Sequence, residues 1–417
     1  MNKRDFIRTL GGTAASLVLG PELLERLTAQ PADQLAQDDP FWAALRTKFK
    51  LTSDYINLEN GFYCFQPEPV LEAFINHVRA LNLEASHYLR TRRDPDKLRI
   101  RTRLAGLAGC ATEELIVTRN TTESLDTVIA GFDWKAGDEA VMANQDYKAM
   151  LYMFNLQAKR YGMVNRLVDI PLDPKSDDEI VQLYARAITP KTRLLMIPHM
   201  VNVTGHILPV RAICDLAHER GVPVMVDGAH TFAHFEFRIP DLHCDYFGAS
   251  LHKWLAAPLG AGILYVKQDR IEKLWPIYGD DTVPVNDIRK LNHTGTHPAH
   301  TDLAIENAIA FHELIGGARK EARLRYLQQY WVKQVRGQPR IVLNTPTDPR
   351  RSCAITNVGI DGIKPLDLAK LLLEKYNVWT VGYDNAGVRG VRVTPQVYTS
   401  TAELDTFVRA LKALTVA

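Results

Sequence analysis

Residues 222–230 read VPVMVDGAH and residues 244–262 read CDYFGASLHKWLAAPLGAG. In the first stretch an apolar run stops at Asp227-Gly228, the pattern of a short strand buried on both faces and ended by a turn. The second holds YFGAS and opens a further run, AGILYV. Working outward, ELIVT precedes a helical pattern from about Thr122, and EAVMA and RLLMIP follow. A helical pattern across Arg211 to Arg220 is stopped by Gly221 and Pro223. Strands rich in Val and Ile, alternating with helices of about 10–15 residues, predict βαβ units. The fold class is therefore α/β: a large domain with a mainly parallel sheet flanked by helices, over 61–300.

Beyond Asp302 the pattern changes. A helical stretch from Leu303 to about Val335 leads to strand-like RIVLNT and AITNVGI, then a helix from Pro365 to about Lys375. This predicts a smaller α+β C-terminal domain over 301–417. Composition agrees with two domains: 417 residues, 46% hydrophobic and 24% charged, exceed what a single core comfortably serves. With 50 Lys+Arg against 48 Asp+Glu, the formal charge of +2 offers no field to gather nucleic acid, so a small-molecule partner is expected. The five cysteines are scattered and odd in number, suggesting neither a disulfide framework nor a zinc ribbon. No apolar run of about 18 residues follows position 30, so no membrane span is expected in the body.

The first 30 residues read as an export signal, basic at Lys3, Arg4 and Arg8 and then rich in small apolar residues from Leu10 to Leu19. Lys3-Arg4-Asp5-Phe6-Ile7-Arg8 resembles a twin-arginine signal in which the first arginine is Lys3, implying a periplasmic protein. An amphipathic helix opening a cytoplasmic enzyme is the alternative. Residues 31–60 read as an N-terminal arm, with the polar segment from Gln30 to Pro40 as a linker.

In open parallel sheets, ligands bind outside the carboxyl ends of the strands. Those ends carry Asp227 with His230, and Ser250 with His252 and Lys253. A carboxylate, a histidine and a lysine on neighbouring strand ends fit pyridoxal 5'-phosphate (PLP) chemistry, in which Asp keeps the pyridine nitrogen protonated and Lys holds the aldehyde. Taken singly, Asp227 also reads as a turn former and Lys253 as a surface charge. Thr121 and Thr122, in RNTTESLD, open a helix directly after ELIVT and offer an anion cradle, although Thr-Thr-Glu also reads as a plain helix cap.

The segment 244–262, with Asn202 and Lys253 flanking Asp227 at 25 and 26 residues, resembles the class V aminotransferases, PLP enzymes of fold type I. The HKWL-APLGAG continuation is most similar to the isopenicillin N epimerase-like branch. The resemblance implies that Lys253 carries the Schiff base and moves the Cα proton, and that Asp227 faces the pyridine nitrogen. It further implies Asn202 and His230 near the phenolic oxygen, Ala229 and Tyr147 on opposite ring faces, and Thr121, Thr122, Ser250 and His252 at the phosphate. Gly295-Thr296 would reach the phosphate of a neighbouring subunit, making a homodimer, and Arg392 would bind the substrate carboxylate, with Arg389 as competitor. The function expected is transamination or epimerisation at the Cα of an amino acid or aminoacyl substrate, in a periplasmic tailoring enzyme if the export reading holds.

Three alternatives stand beside it. A desulfurase or C–S lyase is one, although the stretch 374–390 lacks the cysteine that desulfurases place there, and Cys353 lies too far upstream. A metal-binding hydrolase is another, with His293, His297 and His300 at i, i+4 and i+7, although Gly295 and Pro298 oppose a helix there. The third is a binding protein that keeps the fold without the chemistry.

Overall fold

The computed structural model describes residues 19–416. The apolar runs form β1 (Leu115–Thr118), β2 (Glu139–Ala143), β3 (Val164–Val168), β4 (Thr192–Pro198), β5 (Val224–Asp227), β6 (Tyr246–Ser250) and β7 (Gly262–Val266). They make one sheet in the order β1-β7-β6-β5-β4-β2-β3, all parallel except β7, which runs antiparallel to both neighbours. The cause of that reversal is local. Residues 251–261 are too short for a helical crossover, so β7 returns beside β6. Edge strand β3 escaped the sequence reading because VNRLV is not a continuous apolar run, and its Val164 and Leu167 are exposed.

Alternate strand residues feed two cores. Val141, Ala143, Leu195, Ile197, Val224 and Val226 join one, together with Tyr184 and Ile213 of the helices Asp177–Ala187 and Val210–Glu219. Ala140, Met142, Leu194, Met196 and Met225 join the other, with Leu125 and Phe154 of the helices Thr121–Gly131 and Lys148–Tyr161. Each large side chain fully buried in these layers contributes about 1.5–3 kcal/mol.

The helical stretch expected as continuous from Leu303 to Val335 is two helices, Ala299–Ile315 and Gly317–Val335, broken where Gly316 takes φ 89°. Ile305, Ala308 and Phe311 of the first helix join the large core, and Leu327, Trp331 and Val335 of the second join a separate one. A division at 301 therefore falls inside a helix of the large core. The second core packs under a four-stranded antiparallel sheet of β8 (Ile341–Leu343), β9 (Thr356–Ile360), β10 (Val381–Asn385) and β11 (Val388–Val393), in the order β10-β11-β9-β8.

The arm reaches this second unit. Ile56–Asn57 pairs in parallel with Val378–Trp379, Glu59 bridges to Thr394, and Leu58 enters the C-terminal core. The Lys3-Arg4 signal lies outside the described residues. Leu23 and Leu27 of the helix Pro21–Ala29 are buried against the body, and Arg26 pairs with Asp38. The segment 30–40, expected as a linker, holds the helix Ala32–Ala36 and Asp38, whose side chain caps the helix Asp39–Arg46. No helix among the described residues is long and apolar enough to cross a membrane.

Candidate active site

Asp227 ends β5, and Lys253 lies in the short link after the neighbouring β6. Gly228 lets these strand ends approach: a Cβ there would fall 1.9 Å from the Phe247 ring. The Ala229 N–H donates to Asp227 Oδ1 at 2.9 Å, and Lys253 Nζ donates to His230 Nε2 at 3.1 Å. The structure thus brings Asp227, Ala229, His230 and Lys253 together.

Burial governs their charges. It pushes the Asp227 carboxyl up, opposed by the Ala229 N–H and by Lys253. Lys253 keeps intermediate exposure overall, yet desolvation of its amine lowers the pKa to about 8, against the pull of Asp227. His230 is held well below the usual imidazole range by burial and then by the charge of Lys253. It is neutral and accepts through Nε2.

The phosphate candidates cluster at the start of the helix Thr121–Gly131, which β1 delivers to the same end of the sheet. Ser250 Oγ accepts from the Thr121 N–H at 2.9 Å and lies 2.7 Å from Thr121 Oγ1. Asn120 caps this helix by accepting from the Glu123 N–H at 2.9 Å. Thr122 is half-buried in the first turn, and His252 lies beyond Ser250 with burial lowering its imidazole pKa to about 4. Tyr147 stands 45% exposed at the N-cap of the helix Lys148–Tyr161.

These residues fit PLP. The buried Nδ1 atoms of His230 and His252 have no hydrogen-bond partner among the described residues, as polar groups awaiting a ligand would. Asp227, raised by burial, suits a cationic pyridine N–H, and the helix start with its hydroxyls suits a dianionic phosphate.

Arg392, on β11, enters from the C-terminal unit. Its Nε donates to Glu59 Oε2 at 3.1 Å, its Nη2 to Glu59 Oε1, and its Nη1 to the Asn202 carbonyl at 3.0 Å. Asn202 therefore meets the site through its main chain. Arg389 is exposed and pairs with Asp384 on β10. Gly295 and Thr296 are exposed in a loop, where Gly295 takes φ 71°.

Sequence reasoning missed four residues here. Glu59 occupies Arg392, and the Tyr383 ring lies 5.3 Å from the guanidinium. His234 stacks on Trp254 with centroids 3.6 Å apart, donates from Nδ1 to the His230 carbonyl at 2.7 Å, and accepts from the Ala354 N–H at 3.1 Å. Lys320, lowered to about 8 by burial, donates to the Trp254 carbonyl. The spacing of His230 and His234 in DGAHTFAH was the one available signal.

The histidines of the hydrolase alternative do not converge. His293 lies 3.4 Å from Asp280, His297 3.1 Å from Asp302, and His300 packs 5.4 Å from the Phe74 ring, because the helix begins only at Ala299. No group of three metal-ligating side chains is found among the described residues. Burial also raises every thiol: Cys64 to about 11, Cys110 and Cys353 to about 12, and Cys214 and Cys244 further.

The chain is similar to isopenicillin N epimerase of Amycolatopsis lactamdurans, 29% identical over 392 residues that cover 89% of this chain and 98% of that one. A cysteine desulfurase of Haloferax volcanii is 25% identical over 387 residues, covering 87% and 90%. Among solved structures, a C-DES variant with glycine covalently linked to its PLP cofactor superposes with a TM-score of 0.79 at 20% identity, covering 88% and 98%. The aminotransferase class-V family model matches residues 66–410, across the strand-end residues and the C-terminal unit alike, and the chain belongs to that family of PLP-dependent enzymes.

Proposed function

We propose that this enzyme acts at the Cα of an amino acid or aminoacyl substrate, by transamination or epimerisation, with Lys253 as the base. The observation that carries the reading is Lys253 Nζ, lowered to about 8 and 3.1 Å from a neutral His230, one strand away from the buried Asp227. Bound PLP supplies a carbonyl carbon and an electron-withdrawing ring that weakens the bonds at Cα. Asp227 would hold the ring nitrogen cationic. His230 accepts from Lys253 and keeps the amine aimed, while the His234–Trp254 stack and Lys320 fix the link that carries it. Lys253, as a free amine, would take the Cα proton; that one base suffices for amine transfer, whereas epimerisation needs a second proton donor on the opposite face of Cα. Thr121, Thr122, Ser250 and His252 would hold the phosphate, and Tyr147 and Ala229 would hold the ring.

The desulfurase alternative needs a thiolate to receive sulfur, and the raised thiols speak against it. A homodimer is part of the proposal. Gly295 and Thr296 are exposed, and Trp275, Ile277, Tyr278 and Val285, just upstream, expose apolar surface that a second copy would cover. Periplasmic export is proposed from the Lys3-Arg4 signal.

Borohydride treatment of the yellow holoenzyme tests the central assignment. We expect the visible band to bleach and a phosphopyridoxyl mass to map to Lys253, a mass absent from Lys253→Ala. A label on any other lysine overturns it. Light scattering tests the dimer, and periplasmic fractionation with and without Arg4→Ala tests export.

A further inference from the structure

Arg392 is the guanidinium that the C-terminal unit brings to the site, and it is already occupied. Its side-on edge, Nε with Nη2, grips both carboxylate oxygens of Glu59, and Nη1 donates to the Asn202 carbonyl at 3.0 Å. Both partners are buried, with side chains 3% and 4% exposed. The enclosure is tight: the Tyr383 ring lies 5.3 Å away, and a Cβ at Gly61 would stand 3.1 Å from the guanidinium carbon. Glu59 cannot drift off, because Leu58 is buried in the C-terminal core and Thr394 Oγ1 accepts from the Asn60 and Gly61 N–H groups.

We propose that Glu59 decides which amines this site accepts, filling Arg392 with a carboxylate of the chain itself so that the substrate is an amine whose Cα carries no free carboxylate. An aminoacyl amide or a peptide N-terminus meets that description, and a free α-amino acid does not. The inference rests on the functional reading above and narrows its substrate class. Charge decides the direction. Glu59 and Arg392 form a neutral pair, and a second carboxylate beside them would leave one anion uncompensated in a buried place. A carboxamide adds no charge, and its carbonyl oxygen suits the N–H groups left on Nη1 and Nη2.

The test compares wild-type holoenzyme with Glu59→Ala and Glu59→Gln. Probes are acetate, followed by calorimetry, and the standard L-amino acids paired with their α-carboxamides, followed through the cofactor's absorption. In the wild type each bound carboxamide should bind at least about tenfold tighter than its acid. In Glu59→Ala, acetate should bind about tenfold tighter than in the wild type, and the preference for amides should fall. Glu59→Gln keeps the shape and one acceptor oxygen, so it preserves the comparison if the alanine variant does not fold. Tighter binding of free acids in the wild type, weakened by either substitution, overturns the proposal and makes Glu59 a residue that positions Arg392 for a carboxylate. Equal acetate affinity in all three proteins also overturns it. Failure of the wild type to retain PLP would instead remove the functional reading itself, which the cofactor band reports separately.

Discussion

Asp227, His230, Ser250 and Lys253 come from one stretch of chain on adjacent strand ends, whereas Glu59 and Arg392 meet across 333 residues. The first group is placed by local geometry. A parallel sheet directs the carboxyl ends of its strands one way, so any polar residue just after an apolar run arrives at the same edge. The second group is placed by pairing of distant segments: the arm lies beside Thr394, and β11 is held between β10 and β9. On the proposed reading, chemistry belongs to the local side and selection among substrates to the long-range side.

Substitutions should separate the two. Lys253→Ala should have the largest effect, a fall in turnover of about 10²–10⁴-fold with cofactor still bound through its phosphate, read by steady-state kinetics. Asp227→Asn should lower turnover about 10²–10³-fold and leave the fold unchanged, checked by kinetics and far-ultraviolet circular dichroism. On the other side the loss should appear in stability. Arg392→Met leaves Glu59 buried and unpaired and should cost about 3–5 kcal/mol in urea unfolding, with much of it recovered in Glu59→Leu/Arg392→Met. A strand-end substitution as destabilising as Arg392→Met would break the distinction.

Two smaller effects sharpen it. The free amine of Lys253 is the form that reacts, and burial lowers its pKa to about 8, so apoenzyme should capture PLP faster as pH rises through about 8 and level off above. Stopped-flow absorbance would show this, and a midpoint near the ordinary lysine value would contradict the burial. In the apoenzyme the same depressed pKa makes burying the charged amine costly below about 8, and that cost is relieved between there and the unfolded value of 10.5. Ser250→Ala leaves the Thr121 N–H without its acceptor at 2.9 Å and should weaken PLP binding about fivefold, measured by cofactor titration.

The same contrast explains what could be read from the chain alone. Apolar runs ending in Asp227 and in Ser250-Leu251-His252-Lys253 carry both their structure and their position, so the large sheet and its strand-end residues were legible. Glu59 was not, because nothing in NLENGF distinguishes a buried carboxylate from a turn residue until Arg392 is seen opposite. The break at Gly316 was hidden for a related reason: apolar periodicity continues on both sides of it, while the second helix passes from the first helix's core at Leu324 to a different one from Leu327 onward. Lys320 looked like one more basic residue on a helix rich in them, and only burial behind Trp254 sets it apart.

The pairing of β1 with β7 also bears on how the protein comes to exist. Leu115 lies opposite Tyr265, so the sheet cannot close until nearly all of the large domain has been synthesised. The helix start that follows β1 and the link that carries Lys253 are brought together by that closure. Contacts this distant in sequence form slowly. A nascent chain therefore has no complete cofactor pocket, and PLP added during refolding should bind in the last kinetic phase.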